Sequence, residues 1–260
     1  MIRSALALLA ALAPLAAQPV SAAALEARAS YVLTVGGINV ALVDVDFGDD
    51  GRRYELDLSA NVTGLGSVVA SGTATASASG SSAGRELQPD SFRLETRANG
   101  EKFNVNVGYA DRNVSVFQVE PPVLDSYDRV PLERAHLHGV GDFLSAFVLK
   151  GGALDRSLCQ RTLNIFTGVE RFDIRMGFLD TDEATSPRTG YQGPVVACSI
   201  RYEPVSGHFQ SSDITRYLAE SSRIIIWYAP LGQSGYFIPY RVMLGTTMGD
   251  LSMVLTGARS

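Results

Sequence analysis

Cys159 and Cys198 are the only thiols in this chain, and three kinds of chemistry are open to them: a disulfide, a share in a metal site, or nucleophilic attack. In "GPVVACSIRYEPVSGHF", residues 193–209, Val196, Cys198, Ile200 and Tyr202 fall on one side of an extended run, with Ser199, Arg201 and Glu203 on the other. The thiol therefore points the way the apolar residues point. Cys159, in "SLCQRTLNIF", also stands at a strand start. Zinc sites favour closely spaced ligand pairs such as C-x-x-C, and neither cysteine has a second beside it. A nucleophilic thiol needs a basic partner to lower its pKa, and His208 lies beyond "EPVSG", past a turn. A structural disulfide fits the pair best if the chain enters an oxidising compartment. Closing that loop removes about 4 kcal/mol of unfolded-chain entropy in the usual model.

Other chemistry is thinner. His136 and His138 project the same way from an extended backbone and His208 could join them, but no acidic or thiol ligand sits at recognisable spacing, so neither metal nor cofactor is expected. Asp180, Asp182 and Glu183 lack the glycine-bearing spacing of a calcium loop. Ser234, in "LGQSGY", lacks the G-x-S-x-G pattern of a nucleophile elbow, and no phosphate-binding glycine loop precedes a helix. A hydrolase reading would use His208 with Ser206 or Asp213. The remaining candidate is binding. Aromatic residues in strands pack cores by default, but Phe143, Phe147, Tyr202, Trp227 and Tyr240 are the side chains that would line a cavity for an apolar ligand.

The elements that must position these residues read as mainly β. Tyr31, Leu33 and Val35 alternate with Val32 and Thr34, Gly36-Gly37 and Asp50-Gly51 supply turns, and Tyr54, Leu56, Leu58, Ala60 and Val62 put apolar side chains on one face. Phe103, Val105, Val107 and Tyr109 repeat the pattern. Residues 66–84 are built from small side chains, and a thin strand through Thr73, Thr75 and Ser77 or a low-complexity loop both fit. Pro121-Pro122 breaks the alternation. Beyond it, "GDFLSAFVLKGG" predicts one short helix, with Phe143, Leu144, Phe147 and Val148 on one face, Asp142 at its start and Gly151 at its end. Strands resume with "RTLNIFTG", with Phe172, Ile174, Met176 and Phe178 in step, and with "RIIIWYAPL", "YFIPYRVML" and "LSMVLTG". "SSDITRYLAESS" allows a further helical turn through Ile214, Tyr217 and Leu218. The expected architecture is an antiparallel, strongly curved sheet or open half barrel built from hairpins, with one short helix packed on or in it. Residues 25–260 are expected to form a single β-rich domain, with a possible sub-boundary near 121–152.

Residues 1–24 carry Arg3, an apolar run from Ala5 to Ala17 and small residues before Leu25, the layout of a secretory signal peptide. The run is too short to span a bilayer, which takes about 20 apolar residues, so the expected product is exported and has no integral membrane segment. The net charge of −5 comes from 27 acidic and 22 basic residues. The bases are scattered, which argues against a nucleic-acid partner.

"LQPDSF" at 87–92, "CQRTLNIFTGVERFDI" at 159–174, "CSIRYEPVSGHF" at 198–209, "IIIWYAPL" and "IPYRV" resemble the uncharacterised bacterial exported family catalogued as domain of unknown function 3108. The resemblance implies a Gram-negative periplasmic setting and a curved antiparallel sheet, and it brings no catalytic residues. Thr167 stands where the family implies an aspartate before the glycine. The expectation is a non-catalytic envelope protein that binds an apolar ligand or a protein partner. The alternatives are the His208 hydrolase and a purely structural scaffold with a filled core.

Overall fold

The computed structural model describes residues 24–63, 72–123, 127–246 and 249–260. The signal-peptide reading therefore falls, up to residue 23, outside the described residues. Seven strands follow one another as an antiparallel meander: β1 (Leu25–Val35), β2 (Ile38–Asp49), β3 (Arg53–Val62), β4 (Gly72–Ser81), β5 (Gln88–Ala98), β6 (Glu101–Ala110) and β7 (Asn113–Glu120). The turn between β1 and β2 is made by Gly36 and Gly37, both at positive φ, where a side chain would be strained. The small-residue segment resolves as β4 from Gly72 onward. Ala76 and Ala78 face the core, while Thr73 and Thr75 are exposed.

The second half holds the short β8 (Leu149–Lys150), then β9 (Thr162–Phe166), β10 (Arg171–Ala184), β11 (Gly193–Ser206), β12 (Ile224–Pro230), β13 (Tyr236–Leu244) and β14 (Leu251–Arg259). These strands also run as a meander, and the last pairs with the first: Val32 lies opposite Val254 and Leu33 opposite Met253. Among the described residues the result is one fourteen-stranded antiparallel sheet with β7 at one end and β9 at the other, and β8 pairing with β13 off that path. It does not close into a barrel. It curves far enough, however, for Phe117 on β7 to meet Phe166 on β9 edge to face, with ring centroids 5.3 Å apart.

Period-two alternation then sorts side chains into two cores. The first lies under the N-terminal meander and contains Tyr54, Leu56, Phe92, Val105 and Val107, together with Phe166, Tyr236, Ile238 and Leu255 from the second half. The second lies on the other face of β9–β13 and contains Ile165, Phe172, Ile174, Ile200, Ile226 and Phe237. Strand β12 shows the division: Ile224, Ile226 and Tyr228 enter the second core, while Trp227 packs on the first.

The helix expected over 142–151 is not formed. Asp142 Oδ1 accepts the N–H groups of Leu144 and Ser145, each at 2.7 Å, and closes a tight turn. A single 3-10 turn, Ser145–Phe147, follows, and Leu149 and Lys150 then leave to pair with Phe237 and Tyr236. The shared face also dissolves, because Leu144 and Val148 pack on the first core, Phe147 packs on the second and Phe143 is exposed. The one α-helix among the described residues is α1 (Asp213–Glu220), at the "SSDITRYLAESS" position. Ser212 caps it by accepting the N–H of Thr215 at 3.1 Å, and Leu218 and Ala219 lay it on the second core.

Candidate functional site

Both sulfurs sit in the second core with no solvent exposure. Cys159 ends a 3-10 turn (Arg156–Cys159) and Cys198 lies mid-strand in β11. They are bonded, with Sγ–Sγ at 1.96 Å and Cα–Cα at 5.4 Å. The bond ties the turn that precedes β9 to β11, two strands further along the sheet.

The five aromatic residues assigned to a ligand cavity are not brought together. Tyr202 and Phe147 belong to the second core, Trp227 and Tyr240 to the first, and Phe143 is half exposed against Phe147. The two cores lie on opposite faces of β12 and β13, so no single cavity can be lined by all five. Tyr202 is packed against Phe172, and burial pushes its hydroxyl pKa up to about 12.

The space under the first meander that an apolar ligand would need is occupied by the chain itself. Asp142 is fully buried there and also accepts the Ser145 hydroxyl, while burial drives its pKa upward. Tyr54 and Tyr109 are raised too, first by burial and second by that carboxyl. Tyr109 donates to the carbonyl of Phe166 at 3.3 Å. The β9–β10 turn enters the same space. Gly168, at φ +92, sits so close to β6 that a Cβ there would lie 2.2 Å from Val105 Cγ1. Thr167 shapes this turn: its Oγ1 accepts the N–H groups of Val169 and Glu170 at 3.3 and 3.0 Å. An aspartate carboxylate at this position can accept the same two N–H groups, so the place of the threonine is explained by turn formation and requires no chemistry.

The hydrolase arrangement is likewise not assembled. Ser206 Oγ and His208 Nδ1 are both buried without a hydrogen-bond partner, so they are not bonded to each other. Asp213 is bonded to Arg216 in the first turn of α1. Gly207, at φ +81, lies against the Val169 carbonyl, and Arg129 bridges the carbonyls of Gly207 and Val169. The "EPVSGHF" motif thus clamps the β9–β10 turn. The other two histidines are locally engaged, His136 Nδ1 with the Glu133 N–H and His138 Nδ1 with Asn113 Oδ1, each at 3.1 Å. Among the described residues no group of three or more His, Cys, Asp or Glu side chains could hold a metal ion.

Sequence reasoning missed a buried polar bridge between the two halves. Asp49, at the end of β2, accepts the Tyr236 hydroxyl at 2.6 Å and the Ser82 hydroxyl at 2.5 Å. Lys150 Nζ donates to the Ser82 carbonyl at 2.6 Å and lies over the Tyr236 ring. One of the chain's two lysines is therefore placed at the junction of β2, β4, β8 and β13. The only available signal was an acidic residue at the end of a mostly apolar strand that already carries Asp44 and Asp46.

Concave space lies instead on the outside. A trough of about 600 Å³ crosses the polar face of β2–β7, with Asp57, Ser77, Arg93, Asn106 and Glu120 among its walls. A second groove, of about 540 Å³, follows the edge of β7.

Residues 30–256 match the family described as Protein of unknown function (DUF3108). The chain belongs to the DUF3108 family. The match runs from within β1 to within β14, so most of the paired first and last strands and the whole disulfide lie within the family's span. No curated protein and no solved structure matches this DUF3108 chain. Among the described residues, no helix is long and apolar enough to cross a membrane.

Proposed function

We propose that this DUF3108 protein is a non-catalytic protein of the Gram-negative envelope, exported to the periplasm, that acts by binding another protein rather than by carrying an apolar ligand. The observation that carries this reading is the plug: Asp142 and Ser145, the β9–β10 turn and the edge-to-face pair of Phe117 and Phe166 fill the concavity that a carrier would keep open. An apolar side chain free to meet a partner is found on the surface instead, with Val116 standing out on an edge strand. Export is supported by the signal-like residues 1–24 and by the buried disulfide, which an oxidising compartment maintains.

The test uses the full-length chain expressed in its native host. Photo-crosslinking from position 116 is expected to give a discrete protein adduct, and crosslinking from Leu42, an exposed apolar residue on β2, is expected to give none. Solvent extraction of the purified protein is expected to release no stoichiometric lipid. A bound lipid in one-to-one amount, or identical crosslinking from both positions, overturns the reading.

A further inference from the structure

The sheet ends in β7 on one side and β9 on the other, and residues 138–141 run across the gap between them. At one end His138 forms an isolated antiparallel bridge with Asn113, and the Val140 N–H donates to the Arg112 carbonyl at 2.9 Å. At the other, Gly141 forms a parallel bridge with Ile165: its N–H donates to the Asn164 carbonyl at 2.8 Å, and its carbonyl accepts the Phe166 N–H at 3.0 Å. Four residues thus join the two ends that the sheet itself leaves apart. An uncovered end strand is a template for pairing with another chain, so this strap guards both ends of the sheet.

The strap is lightly fastened. Among the described residues three backbone hydrogen bonds hold it to β7 and β9, whereas the seam between β1 and β14 runs through eight paired residues. The Asn113 side chain adds two contacts, its Oδ1 accepting the Gly139 N–H and meeting His138 Nδ1, each at 3.1 Å. His138 and Gly139 are exposed, and nothing lies within 4 Å of where a Cβ on Gly139 would stand. One side chain, Val140, is buried in the first core. Space is left on both sides: the groove of about 540 Å³ along β7 reaches His138, and a smaller one of about 70 Å³, lined by Arg112 and Asn164, reaches Gly141.

Beyond Gly141 the chain is held far more firmly. Asp142 is fully buried and binds the N–H groups of Leu144 and Ser145, and Leu149 and Lys150 are paired with β13. Segments with few buried apolar contacts and few hydrogen bonds open at a lower free energy than the whole fold does. We propose that residues 138–141 release as a unit, with Val140 leaving the first core while the plug stays in place. The flanks of β7 and β9 then alternate between a covered and an uncovered state. This device is independent of the partner-binding function.

Native-state hydrogen exchange, followed by NMR at rising sub-denaturing urea on the disulfide-intact protein purified from its native host, tests the proposal. The N–H groups of Val140, Gly141 and Phe166 are expected to share one opening free energy that depends little on urea. They should exchange about a hundredfold faster than those of Val32, on β1, and Ser145, which await global unfolding. Val140→Ala is expected to speed the three strap amides about tenfold. Ile226→Val, in the second core, is expected to speed Val32 and Ser145 about fivefold and to leave the strap amides unchanged, because Ile226 stays buried whether or not the strap is released. Strap amides that exchange at the rate of Val32, or that speed up with Ile226→Val, show that the strap opens only with the whole fold and overturn the inference. Exchange of Ser145 together with the strap overturns it as well, since the plug is then part of the moving unit.

Discussion

The two halves of the sheet bury their strands differently. The N-terminal meander is one-sided: Val105 and Val107 face the first core, while Asn104 and Asn106 border the open polar trough. The second half serves two cores: β12 and β13 send neighbouring residues to opposite clusters, and Val195 and Val196 of β11 are buried in different ones, while Arg175 and Glu203 pair on an exposed stretch of β10 and β11. The difference teaches where stability and recognition reside. The two-sided half has its interior fixed by a disulfide and sends a turn into the concavity of the one-sided half. The one-sided half exposes a polar face and an edge to its surroundings.

The largest effect that should separate the halves is loss of the disulfide. Replacing both Cys159 and Cys198 by serine is expected to cost about 4 kcal/mol in the loop-entropy model. Hydrogen exchange should report the loss first in β9–β11, with protection in β2–β6 retained below the global transition. Equal loss in both halves would show that they unfold as one unit and would erase the distinction.

Asp142→Ala comes next, at about 3 kcal/mol, because it leaves the buried N–H groups of Leu144 and Ser145 unpaired. Asp142→Asn keeps an acceptor for those groups and isolates the charge. Burial holds the carboxyl pKa above its ordinary 3.8, so the folded state binds this proton more tightly than the unfolded state does. The resulting stabilisation is fully present below the unfolded pKa and is lost as pH rises through the folded value. The wild-type protein should therefore lose stability relative to Asp142→Asn between pH 4 and neutrality, as read by urea unfolding. A pH-independent difference would contradict burial as the governing cause.

The smallest effect is expected on the open face. Thr75→Val, on exposed β4, should change stability by no more than about 0.5 kcal/mol. A cost of several times that would mean that the polar face is packed rather than open.

Most of the sheet was legible because one-sided strands advertise themselves. Tyr54, Leu56 and Leu58, and Phe103 to Tyr109, alternate with polar residues, and the structure buries or half-buries the apolar set. The cysteine pair was legible for the same reason, since Cys198 travels with Val196, Ile200 and Tyr202. What failed was whatever depended on distant partners. Leu149 and Lys150 leave the helical pattern because β13, almost ninety residues later, offers backbone groups to pair with. The five aromatic residues were not brought together because Trp227 and Tyr240 pack on the first core and Phe147 and Tyr202 on the second, a division that period-two alternation alone does not reveal. The plug was invisible because "FTG" reads only as a turn until its glycine is found against Val105.

That plug is the claim on which the account stands, and a pair of glycines tests it directly. Gly168 and Gly100 have nearly equal φ, +92 and +89, but a Cβ on Gly168 would strike Val105, while one on Gly100 meets nothing within 4 Å. Measured by urea unfolding, Gly168→Ala should cost at least about 2 kcal/mol more than Gly100→Ala, the overpacking penalty of a filled interior. Equal costs for the two substitutions would mean that the concavity has room to spare, and the filled-core account would be wrong.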